Sequence, residues 1–131
     1  MDVNSLIESA TAVRLLAYAP YSRFSVGAAL LTTDGRVFCG CNVENLSFGL
    51  TLCAERSALV AAIAEGCLTF SALAIVADTD APISPCGACR QVLAEFSPAL
   101  QIISANLKGQ TETFSLADLL PRAKTGILNN P

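Results

Sequence analysis

Histidine is absent from all 131 residues, which excludes every mechanism that uses imidazole as base, nucleophile partner or metal ligand. Proton transfer must then fall to Asp, Glu, Cys, Lys or Tyr. Charge is scarce too: 15% of the residues are charged, against about 25% in an average globular domain. The eight Lys and Arg residues stand singly along a chain of net charge -3. Nothing supplies the basic footprint that a phosphate backbone requires, so no nucleic-acid partner is expected. No apolar run approaches the ~18 residues of a membrane span. The amino terminus, with Asp2 and Glu8 among scattered apolar residues, lacks the basic-then-apolar order of a secretion signal. The expectation is a cytoplasmic protein with no membrane partner. No repeat, linker or low-complexity stretch interrupts the chain, which points to a single domain over 1–131.

What the chain has in surplus is apolar character. Hydrophobic residues make up 53%, and a domain of this length buries roughly two thirds of the surface its unfolded form exposes. Some of the excess is Ala, and the rest suggests surface shared between subunits. Six cysteines could form three disulfides, but a secreted scaffold would not need so large a core, so metal or redox use is the better expectation.

Apolar residues from Leu6 to Ala17 recur at helical spacing within Asn4 to Tyr18, and Pro20 stops the pattern. Phe24 to Leu31 and Arg36 to Cys41 read as antiparallel strands joined through the tight-turn pair Asp34-Gly35. A loop at 42–52 leads to a helix over Ala54 to Glu65, apolar on nearly all sides and closed by Gly66. Phe70 to Ala77 is a core strand, Cys86 to Phe96 a helix, Leu100 to Ala105 a strand, and Glu112 to Phe114 a last strand before a short helix ending at Pro121. This order predicts an α/β fold, a single three-layer domain with one mixed five-stranded sheet flanked by helices. The tail over 125–131 is expected to be frayed.

Chemistry concentrates at two of these helix starts. Cys86-Gly87-Ala88-Cys89 follows Pro85, a residue suited to the first turn, whose amides need no internal acceptor. Alone, Cys-x-x-Cys fits either a zinc site or a thiol-disulfide couple. Cys53-Ala54-Glu55 opens the other helix. If the two starts converge, their partial positive charge favours thiolates and three sulphurs can share one zinc per chain. Three protein ligands leave a tetrahedral zinc one position for water, the mark of a catalytic site. Glu55, two residues from a ligand, can lie beside that water and serve as base and then acid. A first ligand, one residue, Glu, and a later Pro-Cys-x-x-Cys is the signature of zinc deaminases, with Cys-only ligation permitted. Arg56 is placed to donate to a thiolate and offset the surplus negative charge of the trio. Spacing alone equally allows it an ordinary surface ion pair.

With Ala19-Pro20-Tyr21-Ser22-x-Phe24, Cys41-Asn42-Val43-Glu44-Asn45 and Cys89-Arg90-Gln91-Val92, these motifs resemble the small, all-cysteine class of cytidine deaminases from about Leu16 to Pro121. The resemblance implies zinc-dependent hydrolysis of free cytidine and 2'-deoxycytidine in pyrimidine salvage. It also implies a homotetramer with active sites near subunit boundaries. By the same likeness Phe24 lies against the pyrimidine ring, Asn42 and Glu44 hydrogen-bond the ribose hydroxyls, and the Ala54 amide meets the base carbonyl. Read without it, Phe24 would be a core residue at a strand start, and Asn42 and Glu44 solvated loop residues.

The sequence departs from that pattern twice. Phe48 stands where the family often has Tyr, and Lys124 where a Phe follows the closing Leu-Leu-Pro and reaches into a neighbouring site. Cys39, Cys41 and Cys67 are taken as structural, since a fourth thiolate would close the site. The competing readings are a deaminase of a cytosine-containing antibiotic such as blasticidin S, a non-catalytic zinc-stabilised domain, and a thiol oxidoreductase.

Overall fold

A computed structural model describes residues 1–123. Position Lys124 and the tail expected to fray at 125–131 lie outside the described residues. The first helix, α1, spans Val3–Arg14 and opens under a cap from the Asp2 carboxylate to the Ser5 amide at 2.7 Å. It ends at Arg14, short of the expected Tyr18, because the following backbone finds other partners. The Tyr18 amide donates to the Asn42 carbonyl, and the Tyr18 carbonyl accepts from the Glu44 amide. Leu15 and Leu16 are left 78% and 77% exposed.

Strand β1, Val26–Thr32, starts two residues later than the spacing predicts. Arg23 adopts a left-handed φ of 60°, which breaks the extended run and puts Phe24 outside the ladder. The Asn42 side chain then clips the strand start: its Oδ1 accepts from the Val26 amide and its Nδ2 donates to the Phe24 carbonyl, both at 2.8 Å. Gly35, at φ 90°, turns the chain into β2, Val37–Cys41. The loop beyond holds a short 3-10 turn at Phe48–Leu50 that hydrophobic periodicity does not announce. Next come α2 (Ala54–Ala64), β3 (Phe70–Ala77), α3 (Gly87–Phe96), β4 (Gln101–Asn106), β5 (Thr111–Ser115) and α4 (Leu116–Leu119).

The sheet is mixed, in the order β2-β1-β3-β4-β5, with β3 and β4 parallel and the other neighbours antiparallel. Strand alternation sends Ala28 and Leu30 to one face and Ala29 to the other. On the first face they pack with Leu59 of α2, Leu93 of α3 and Leu116 of α4. On the second, Ala29, Ala74, Val76 and Ala105 meet Leu6 and Ala10 of α1. The result is the expected three-layer arrangement. Helix α2 is less enclosed than its sequence suggests: Ala54, Glu55, Ala58, Leu59 and Ala62 are buried, whereas Val60 stays 51% exposed because the sheet and α3 cover one side only.

Strand sense fixes where the helices begin. Both β2 and β3 run antiparallel to β1, so they run parallel to each other, and Gly27 of β1 pairs with Cys41 of one and Val76 of the other. The chain leaves both strands at the same end of the sheet, and α2 and α3 start from that end. Gly40 sets how closely α2 approaches, since a Cβ there would lie 2.3 Å from the Ala58 nitrogen and 2.7 Å from the Ala54 carbonyl oxygen.

Candidate active site

Cys53 is the N-cap of α2 and Cys86 the N-cap of α3, both with extended backbone. Cys89 lies in the first turn of α3 and is fully buried. The sulphurs of Cys53 and Cys86 are 3.8 Å apart and those of Cys86 and Cys89 3.3 Å, with all three within 4.8 Å of one another. Tetrahedral ligands at the usual Zn–S length of ~2.3 Å stand about 3.8 Å apart, so the trio matches a zinc donor set. Among the described residues no other group of three His, Cys, Asp or Glu side chains gathers in this way, and Cys39, Cys41 and Cys67 stand outside it. Among the described residues no fourth Cys, His, Asp or Glu closes the set.

A cavity of about 340 Å³ opens onto these residues. Cys53, Ala54, Glu55 and Cys86 line it together with Phe24, Val26 and Asn42. Glu55 is 5% exposed and Asn42 8%, so neither is a solvated side chain. An adjoining cavity of about 410 Å³ is lined by Tyr21, Ser22, Glu44, Phe48 and Thr51, and Thr51 also borders the first. The structure therefore brings Phe24, Asn42 and Ala54 together with the sulphurs and Glu55, and puts Glu44 next door. The Glu44 carboxylate is already engaged: Oε1 accepts from the Tyr21 and Ser22 amides at 2.9 and 3.1 Å, and Oε2 from the Ser22 hydroxyl. Phe48, 70% exposed, meets the Tyr21 ring edge-on at 5.8 Å.

The family model for the cytidine and deoxycytidylate deaminase zinc-binding region matches residues 2–105. The chain belongs to this deaminase family. A cytidine deaminase of Sporosarcina psychrophila is 52% identical over 124 residues, covering 94% of this chain and 91% of the relative. One from Mycobacterium tuberculosis is 46% identical, with coverage of 94% and 90%. The crystal structure of the Burkholderia pseudomallei cytidine deaminase superposes with a TM-score of 0.90 at 54% identity, covering 92% of this chain and 98% of that one.

The charges of this deaminase site follow from its geometry. Among the described residues Arg56 makes no surface ion pair: its Nη2 donates to the Cys53 sulphur at 3.4 Å, and its buried Nε has no partner there. The Cys53 thiol is pulled down to about 5, first by its hydrogen bond with Cys89 and further by Arg56. Cys89 moves the other way because it carries the proton shared with Cys53 and is buried beside Glu55. The two shifts run in opposite directions because Cys53 and Cys89 share a proton, with Arg56 favouring the thiolate form of Cys53. Burial raises the Glu55 carboxyl above its ordinary range, opposed in part by Cys89.

Sequence reasoning missed Thr51, Ile83 and Ser84 as cavity walls. Thr51 lies two residues before Cys53, and Ser84 two before Cys86, so nearness to a ligand was the available signal. Ser22 has no role that its sequence motif announces, yet its hydroxyl both holds Glu44 and accepts from the Phe24 amide at 3.0 Å.

Proposed function

We propose that the protein hydrolyses free cytidine and 2'-deoxycytidine to uridine and 2'-deoxyuridine with release of ammonia, Glu55 moving the protons. The observation that carries this reading is one cavity lined by Cys53, Cys86 and the buried carboxylate of Glu55, with the buried Cys89 sulphur converging on the other two. Cys53, Cys86 and Cys89 would hold zinc, whose chemistry there would be to acidify water into a nucleophile at neutral pH. Glu55 accepts one proton of the attacking water and delivers it to N3 of the pyrimidine, then takes the second from the new C4 hydroxyl and gives it to the amino group, which leaves as ammonia while the C4 carbonyl forms. Its burial suits both tasks, since a carboxyl raised above its ordinary range gives and takes a proton with smaller driving-force penalties. Arg56 offsets the surplus charge of three thiolates around a divalent ion.

The walls supply the substrate contacts. Phe24 presents its ring to the pyrimidine, and the Ala54 amide, free of an intrahelical acceptor in the first turn, meets the base carbonyl. Asn42 and Glu44 receive the ribose hydroxyls across the Thr51 border between the two cavities. No Lys or Arg lines either cavity among the described residues, which supports a nucleoside over its 5'-phosphate. The curated relatives named cytidine deaminase support the same choice. Exposed Leu46, Phe48 and Leu50 cluster in the loop before Cys53, in keeping with a homotetramer. The setting proposed is the cytoplasm; no described helix is long and apolar enough to cross a membrane.

Cytidine, deoxycytidine, cytidine 5'-monophosphate and blasticidin S, offered in parallel to the zinc-loaded enzyme, test this reading. Ammonia release should be strong with the first two. Turnover of the monophosphate or the antibiotic alone would sink it. Glu55→Gln should retain zinc and lose 10²-fold to 10⁴-fold or more in kcat, the range general acid-base catalysis supplies.

A further inference from the structure

Arg90 follows the ligand Cys89 in α3 but touches no sulphur. Its Nε donates to the Pro85 carbonyl at 2.7 Å, its Nη2 to the Ser84 hydroxyl at 3.2 Å, and its Nη1 to the Leu119 carbonyl at 3.1 Å. No carboxylate pairs with it among the described residues. All three partners are dipoles, and they belong to two segments that meet through this side chain. One is the stretch over 82–86, which has no helix or strand pairing of its own. The other is the end of α4. The first stretch carries the ligand Cys86 and supplies Ile83 and Ser84 to the cavity wall.

We infer that Arg90 is a positioning residue for this site: its guanidinium sets the Ser84-Pro85 backbone against α4, and so fixes both the reach of Cys86 and the cavity wall before it. The physical reason is the rigid planar fork, whose donors diverge at fixed angles and can hold three acceptors at once. Pro85 has no amide hydrogen and is buried, so it cannot anchor the segment by donating. Its carbonyl takes the shortest of the three Arg90 bonds. An ammonium at this position could reach one or two of the acceptors but would not impose their relative orientation. The role differs from that of Arg56, which acts on a ligand sulphur directly.

The substrate arm of this inference rests on the deaminase reading; the metal arm does not. The test uses the full zinc-loaded chain with Arg90→Met, Arg90→Lys and Ser84→Ala, measuring zinc transfer to a chromogenic chelator, KM and kcat for cytidine, and the thermal midpoint. Arg90→Met should weaken zinc affinity by roughly 10-fold to 100-fold, the usual effect of removing a group that orients a ligand. It should also raise KM more than it lowers kcat at saturating zinc. Arg90→Lys should recover part of the zinc affinity. Ser84→Ala, which removes one bond only, should raise KM with zinc held as in the wild type. A lowered midpoint with zinc affinity and KM unchanged would make Arg90 merely structural and overturn the inference. If Arg90→Met fails to fold, wild-type values for both Arg90→Lys and Ser84→Ala have the same force. Should the wild type fail to deaminate cytidine, the deaminase reading falls while chelator transfer still decides the placement of Cys86.

Discussion

Glu44 shows how one side chain ties two adjoining cavities together, since it lines one while Phe24 lines the other. Its carboxylate collects two amides and the Ser22 hydroxyl, and that same hydroxyl accepts the Phe24 amide. These donors hold its pKa below the ordinary 4.5, the Ser22 hydroxyl contributing most. A carboxylate with a depressed native pKa gives its full contribution above the unfolded value and loses it as pH falls through the native one. The loop clasp should therefore hold at neutral pH and release below pH 4.5. Amide chemical shifts of Tyr21 and Ser22 followed through an acid titration should show a midpoint under that value, and Ser22→Ala should move it upward. A Ser22→Ala midpoint no higher than that of the wild type would contradict this account. The cysteine trio and Glu55 were legible from the chain because each half of the motif, Cys53-Ala54-Glu55 and Pro85-Cys86-Gly87-Ala88-Cys89, is a short local run at a helix start. Ile83, Thr51 and the Ser22 clasp were not, because they depend on where two irregular loops come to rest.

Among the elements, α2 owes its place to a missing side chain. Gly40 lets the first turns of that helix lie on β2 at backbone distance. Adding a methyl group forces the helix off the strand, and overpacking of this kind costs about 1–3 kcal/mol. Gly40→Ala should lose stability of that order in urea denaturation and bind zinc less tightly, since Cys53 and Glu55 ride on the displaced turn. Unchanged zinc affinity in this variant would show that the ligands do not depend on the contact. The helices and strands themselves were readable from periodicity and from Asp34-Gly35, and the mixed five-stranded sheet followed. Errors fell where long-range backbone pairing overrides local pattern. Tyr18 is drawn from α1 into a bridge with Val43, and Phe24 leaves β1 because Arg23 turns left-handed and Asn42 claims the amide of Val26.

At the scale of the whole molecule, the sulphur trio links segments 33 residues apart in sequence. Metal binding there is folding free energy, because an unfolded chain offers no formed site. Chelation should lower the thermal midpoint, and re-addition of zinc should restore it. Zinc uptake at neutral pH should also release protons into a weakly buffered dye solution, since thiol ligands must be deprotonated to bind the metal. Uptake without proton release would show that all three thiols are already ionised in the metal-free chain. The shared sense of β2 and β3 has a further consequence, for engineering. Because both crossovers leave from one end of the strands, the metal ligands gather there, while the exposed turn at Asp34-Gly35 occupies the opposite end. Exposed turn tips of this sort are where insertions are tolerated. A short flexible peptide grafted between Asp34 and Gly35 should leave zinc content and turnover intact, whereas the same graft between Ile83 and Ser84 should abolish both. The molecule has a working end and a spare end, and fusions, tags and reporters belong on the spare one.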